Sequence, residues 1–141
     1  MASKPVVDAV EARIGATWSD GAGNSLPVFG VNQQGTPPAD GSSYIVIQYP
    51  VSNADQSTIG ALGANVFREE GAFRIVVNAM RGAGTAQGLG WADQLAALFR
   101  GKEFGGVVTL APSPPAIDDS NDLGSYFALS VVVPYNYDLL G

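Results

Sequence analysis

The stretch FRIVVNAMRGAGTAQGLGWADQLAALFR, residues 73–100, contains a strand pattern, a glycine-rich turn and a helix pattern in succession. Side chains alternate between the two faces of a strand, and one face of the first part is apolar: Phe73, Ile75, Val77 and Ala79. After the turn, apolar residues recur at helical spacing: Trp91, Leu95, Leu98 and Phe99. Thr85 is in position to cap this helix, and Arg100 with Gly101 to end it. A helix that packs back on the preceding strand buries both apolar faces, so we expect this pair to form the centre of the core.

Patterns on either side of this stretch predict a second helix and two further strands. Residues 3–16 are predicted as a helix with Ser3 as its N-cap and an apolar stripe of Val7, Val10 and Ile14. YIVIQY at 44–49 and FALSVVVPYNY at 127–137 alternate as strands do. Proline within the second of these indicates that its end lies at a sheet edge or beyond the reach of a neighbouring strand.

Shorter strand candidates lie at 26–31, 66–70 and 107–110. Gly71 follows the second of them, so either a bulge continues it into the strand at 73 or a turn separates two strands. Strands outnumber helices in this inventory. It predicts an α+β fold: a mostly antiparallel sheet packed against two helices, the N-terminal helix and the central helix after the glycine-rich turn, in a single domain of residues 1–141.

Composition excludes several kinds of chemistry. The chain has 141 residues with no cysteine and no histidine, which rules out disulfides, thiolate or histidine catalysis and Cys/His zinc sites within it. A net charge of −6 opposes tight binding to nucleic acid, although an acidic surface suits DNA that must slide past. Only 14% of residues are charged, against about 25% in typical domains, and this favours assembly with other subunits. The N-terminus lacks the apolar run of a signal peptide, so we expect synthesis in the cytosol.

Two segments of the sequence have some features of ligand sites. The glycines between 82 and 90 lie between a predicted strand and a predicted helix, as phosphate-binding loops do, but they lack the spacing of a dinucleotide or nucleotide-triphosphate motif. The acidic segment 118–122 has oxygen ligands for calcium without the glycine and glutamate of an EF-hand loop. Glu69 and Glu70 are adjacent on a strand, point to opposite faces and cannot act as an acid/base pair. We therefore expect no catalytic residues, no cofactor and no metal, and a small metal- or ligand-binding protein that uses 118–122 is a less favoured alternative.

Residues 50–65 have no sustained period and few charges, which predicts a long loop of small residues or a poorly paired strand. Loops of this length are uncommon in compact domains unless they bind something or are ordered by a partner. A straight strand also places three charged residues after this loop on one face. The resulting hypothesis is a surface for contacts with other protein chains, made of Ser52, Asn53, Asp55, Gln56, Ile59, Leu62, Arg68, Glu70 and Arg74.

The order of these elements resembles the tail terminator-like proteins of long-tailed bacteriophages. The resemblance is carried by EEGAFRIVVNAMRGAGTAQG at 69–88, the helix WADQLAALFRG at 91–101 and the closing strand SYFALSVVVPYNYD at 125–138. That family has a glycine, an alternating strand, a glycine-rich turn and an Ala/Leu/Phe helix in this order, and ends in Pro-aromatic-x-Tyr, here residues 134–137. Met80 departs from the pattern, because relatives often have proline before the turn.

The resemblance implies a structural virion protein rather than an enzyme. It implies a homohexameric ring that caps the tail tube, stops its polymerisation and provides a joining face for head-completion or neck proteins, at the head-proximal end of the virion tail. DNA would pass through the ring without sequence-specific binding, and no membrane is involved. A neck or head-completion ring, one layer closer to the capsid, is the alternative.

Overall fold

Three long strands determine the architecture of the protein. The computed structural model describes residues 1–17, 28–30, 43–80, 86–117 and 126–141. In chain order, the elements are α1 (Lys4–Thr17), β1 (Val28–Phe29), β2 (Tyr44–Gln56), β3 (Val66–Met80), α2 (Ala86–Phe99), β4 (Glu103–Phe104), β5 (Val107–Thr109), β6 (Ala116–Ile117) and β7 (Tyr126–Leu140). Thr85, most of the glycine-rich turn and the acidic segment 118–122 lie outside the described residues.

The strands form one sheet in the order β1-β2-β3-β7-β5-β4, and β6 also pairs with β7. Every pairing is antiparallel except that of β1 with β2. The buried side chains of β2, β3 and β7 join those of α1 and α2 in one hydrophobic cluster, so both helices cover the same face of the sheet. The predicted α+β class, with a mostly antiparallel sheet and two helices, is confirmed.

The strand–turn–helix stretch has the predicted faces. Phe73, Ile75, Val77 and Ala79 are buried on β3. On α2, Trp91, Leu95 and Phe99 are buried, whereas Leu98 is partly buried. Gly101 ends the helix with a φ of 58°, a left-handed conformation that glycine adopts without steric cost.

Helix α1 differs from its prediction by one apolar position. Val6, Val10 and Ile14 are buried, and the predicted Val7 is only partly buried. Ser3 precedes the helix and its carbonyl oxygen accepts a hydrogen bond from the Val7 amide at 3.1 Å. Its hydroxyl, however, has no hydrogen-bond partner in the described part of the chain, so Ser3 does not cap the helix with its side chain.

Strand β2 continues past the predicted end at residue 49, so the strand alternative for 50–65 applies to residues 50–56 and the loop alternative to residues 57–65. The strand reaches Gln56, and its pairing with β3 shifts between Gln48 and Val51. Gln48 pairs with Arg74 and Val51 with Ala72, so β2 has one more residue than β3 across this interval. A bulge of this kind absorbs a residue without ending the strand.

Gly71 lies within a continuous β3, which decides between the two options that the sequence left open. It pairs with Ser52 on one side and Tyr135 on the other. A Cβ atom at this position would lie against the carbonyl oxygen of Val51 and 3.0 Å from the Tyr135 hydroxyl. The glycine therefore permits a close approach of strands, and the irregularity lies on β2.

Pro134 is not at a sheet edge, and that prediction is wrong. It pairs with Ala72 of β3, and its carbonyl oxygen accepts a hydrogen bond from the Leu110 amide on the opposite side of β7. In an antiparallel strand the N–H and C=O of one residue point to the same neighbour, so the N–H that proline lacks would have faced Leu110. The Leu110 carbonyl accepts from the Gly101 amide instead, which makes the proline tolerable in an interior strand.

Candidate interaction surface on the distal arm

We use the term distal arm for one end of the sheet: residues 51–56 of β2, the loop 57–65, residues 66–72 of β3 and residues 134–140 of β7. The loop connects β2 to β3, and the β3–β7 register continues to Val66 and Leu140. The arm therefore contains most of the residues of the predicted contact surface.

The outer face of the distal arm carries rows of polar side chains across three strands. Asn53, Glu70 and Asn136 are in register in one row, and Asp55, Arg68 and Asp138 in the next. Arg68 donates two hydrogen bonds to Asp138, from Nε to Oδ1 at 2.8 Å and from Nη2 to Oδ2 at 2.9 Å. This bidentate geometry fixes the orientation of both side chains while leaving them accessible to solvent.

The Arg68–Asp138 pair lowers the pKa of the Asp138 carboxyl group. The hydrogen bond from Arg68, together with its positive charge, holds the pKa of Asp138 below its ordinary value. Replacement Arg68→Gln should therefore raise the pKa of Asp138 toward the ordinary value of about 3.9, measured by NMR titration of the carboxyl carbon. Because the folded-state pKa is depressed, the pair contributes stability above the ordinary aspartate pKa and loses it as the pH falls through the folded-state value.

Arg74→Gln is the matched control for that titration. Arg74 donates to the Gln48 side-chain oxygen, from Nε at 2.9 Å and also from Nη2. Its replacement should leave the titration of Asp138 unchanged. An unchanged Asp138 pKa in Arg68→Gln would contradict the observed pairing.

The tip of the distal arm presents two aliphatic side chains to solvent. Ile59 and Leu62 have relative exposures of 101% and 99%. The loop that holds them is fixed from within: Asn65 is buried, and its Nδ2 donates to the carbonyl oxygens of Ala61 at 3.1 Å and Gly60 at 3.4 Å.

The C-terminus of the chain also fastens the tip. The Asn65 amide donates to the Gly141 carbonyl oxygen at 2.9 Å, and the Gly141 amide donates to the Asn65 carbonyl oxygen at 2.8 Å. On the other side of the loop, the Val66 amide donates to the Thr58 hydroxyl at 2.8 Å. The tip is therefore held by hydrogen bonds on both sides, although its two large side chains are uncovered.

The inner face of the distal arm holds a partly buried polar contact that sequence reasoning missed. The Tyr135 hydroxyl donates to Glu69 Oε2 at 2.7 Å, and the Ser3 amide donates to the same oxygen at 3.2 Å. Burial raises the pKa of Tyr135, and the Glu69 carboxylate raises it further. The contact links α1, β3 and β7. The signal was present in the sequence, because Glu69 shares the strand parity of the core residue Phe73.

A small groove lies between the start of α1 and this inner face. Its volume is about 120 Å³. Most of its lining surface is apolar, and Tyr137 and Leu139 of β7 form one side of it. Within the described parts of the chain, the groove is lined by Ser3, Pro5, Ala54, Phe67, Glu69, Tyr137 and Leu139.

Eight of the nine predicted contact residues lie on the distal arm, but they are divided among three parts of it. Those on the outer face are Asn53, Asp55, Arg68 and Glu70, those on the inner face are Ser52 and Gln56, and those at the tip are Ile59 and Leu62. Arg74 lies apart from the arm, on the part of β3 that pairs with Gln48. The Ser52 hydroxyl donates to the Met1 carbonyl oxygen at 2.6 Å. Contact with another subunit through these residues stays a prediction.

Glu69 and Glu70 point to opposite faces, as predicted, because Glu69 bonds to Tyr135 and Glu70 is exposed on the outer face. Over the ranges that the structure describes, no group of three or more carboxylates could hold a metal ion. Neither α1 nor α2, the two helices in the described residues, is long and apolar enough to cross a membrane.

Comparison with family models shows a family, and comparison with solved structures shows a shared fold. A family model described as phage tail terminator protein matches residues 5–135. Thirteen chains of solved structure match the fold. One of them is 21% identical, with a TM-score of 0.59 over 96% of this chain and 95% of its own. A search of curated protein sequences gives no significant match.

Proposed function

This chain belongs to the phage tail terminator protein family and is a structural component of a phage tail, and on that premise we propose that it forms a homohexameric ring that caps the tail tube. In this proposal the ring ends polymerisation of the tube at the head-proximal end of the tail. Its opposite face joins the head-completion or neck proteins.

The observation that carries the proposal is the distal arm, considered together with the family match. A closed ring is a heterologous assembly, so each subunit needs two different complementary patches rather than one self-complementary patch. The arm offers a polar outer face, an apolar tip and an inner groove. Such a combination of polar and apolar surface is typical of a subunit interface.

The charge of the chain supports the passage of DNA through the ring. The net charge is −6, and the outer face of the arm has three carboxylates, Asp55, Glu70 and Asp138, against the one cation Arg68. Affinity for DNA comes mainly from cations that contact phosphates. A surface of this sign repels DNA and lets it slide without sticking.

The position of the chain in the virion tests the proposal, and the absence of cysteine from the sequence makes a selective label possible. Gly15→Cys adds a thiol on an exposed helical position where a Cβ meets nothing within 4 Å. Virions that carry this variant, labelled with maleimide-gold and averaged by electron microscopy, should show six labels around the tail axis at the end of the tube nearest the head.

Virions with the unsubstituted chain are the control, since any gold on them reports thiols of other proteins. Label one layer closer to the capsid would favour a neck ring. Label along the tube or at the distal tail end, or a symmetry other than sixfold, would contradict the proposal.

A further inference from the structure

The tip of the distal arm combines exposed aliphatic side chains with a backbone held by hydrogen bonds. Ile59 and Leu62 are fully exposed, while the backbone that holds them is fixed through Asn65 and Gly141. Fixing the backbone in advance lowers the entropy that a contact would cost. Residues 57–65 carry no charge, so the tip can be desolvated without burying an ion.

The inner groove of the distal arm is concave, whereas the tip projects, and like the tip it is mostly apolar. Phe67, Tyr137, Leu139, Ala54 and Pro5 supply apolar walls. Its volume of about 120 Å³ is below the roughly 300–1,000 Å³ of pockets that hold small ligands, and is of the order of one side chain. Glu69, the charged residue of the lining, already accepts hydrogen bonds from Tyr135 and Ser3.

From this complementarity we infer that the tip of one subunit docks in the inner groove of the next, with Leu62 filling it. The tip does not fill the groove of its own chain, because both of its side chains remain fully exposed. Tip and groove are two different patches on one subunit, which is what a ring contact requires. The occupant is therefore a second copy of this chain, and the inference rests on the proposed ring.

Pairs of single-cysteine variants test this contact directly, because the natural chain has no cysteine. A tagged chain carrying Leu62→Cys is mixed with an untagged chain carrying Ala54→Cys, and rings are allowed to form on tail tubes. A mild oxidant should then link the two different chains, and the tagged heterodimer should be the main product on a non-reducing gel. Pro5→Cys is a second groove position and should give the same product.

Asn53→Cys is the matched control, since it is adjacent to Ala54 on the same strand but points to the outer face. Paired with Leu62→Cys, it should give little or no heterodimer. All four positions are exposed, so these substitutions leave the core untouched.

Rings that form normally but link at Asn53 as readily as at Ala54, or that do not link Leu62 to either groove position, would overturn this inference and leave the ring itself standing. Linkage of Leu62 to the tail tube protein in place of a second copy would also overturn it. Failure of the unsubstituted chain to form any ring on tail tubes would contradict the proposed function as well, and the two failures are thereby distinguished.

Discussion

Replacement Phe73→Ala should lower the free energy of unfolding by about 3–5 kcal/mol, the range for removal of a buried phenylalanine from a packed core. Phe73 is fully buried. Its ring centroid lies 5.0 Å from that of Phe99, 6.2 Å from that of Tyr135 and 6.3 Å from that of Tyr49. One side chain on β3 thus contacts β2, β7 and α2, and the cavity left by alanine cannot close without moving three elements.

Urea unfolding followed by circular dichroism measures this loss, and Phe67→Ala is the matched control. Phe67 is the same residue type on the same face of β3, but it is partly buried and lines the small groove. Its replacement should cost clearly less, because part of its surface is already in water. Equal losses for the two variants would contradict the central position of Phe73 in the core.

The centre of the fold could be predicted because local and tertiary preferences agree there. The apolar alternation from Phe73 to Ala79 and the helical spacing from Trp91 to Phe99 each specify one face. Those faces are the ones that are buried. The alternation of the last strand is confirmed in the same way, from Leu129 through Val131 and Val133 to Tyr135.

The extent of the strands could not be predicted, because it depends on neighbours rather than on the segments themselves. Pro50 and the small residues after it resemble a loop, yet β2 continues to Gln56 because β3 pairs with it beyond the bulge. Pro134 is likewise tolerated within the sheet because the Leu110 carbonyl oxygen, which would have faced an N–H at position 134, accepts from the Gly101 amide instead. Pairing partners distant in the sequence decided both cases.

Most residues of the candidate surface were predicted to lie close together, but their structural neighbours were not. The long low-charge segment before β3 predicts an interaction site, and this segment lies in the distal arm. The ion pair on its outer face could not be predicted, because Arg68 and Asp138 are 70 residues apart in the sequence. The strand parity of Glu69 indicates the inner face, but its partner Tyr135 lies 66 residues away and could not be predicted.

The double replacement Ile59→Ser with Leu62→Ser should leave the fold intact and abolish ring assembly. Both side chains are fully exposed in the single chain, so their loss removes no internal packing and the unfolding transition should stay where it is. Leu62, which would fill the groove of a neighbour, contributes about 1.5–3 kcal/mol to the contact when it is buried there. Each contact between subunits should then weaken by roughly 10- to 100-fold, and tails assembled with this variant should lack caps and vary in length.

Sedimentation of the purified chain with tail tubes measures the association, and electron microscopy measures tail length. Ala61→Ser with Ala64→Ser is the control, because it adds the same two hydroxyl groups to the same loop while keeping Ile59 and Leu62. That variant should cap tails as the natural chain does. If the double serine replacement at Ile59 and Leu62 caps tails equally well, the exposed tip is not an assembly contact. Ring formation would then have to depend on the outer face of the arm, which carries Arg68 and Glu70.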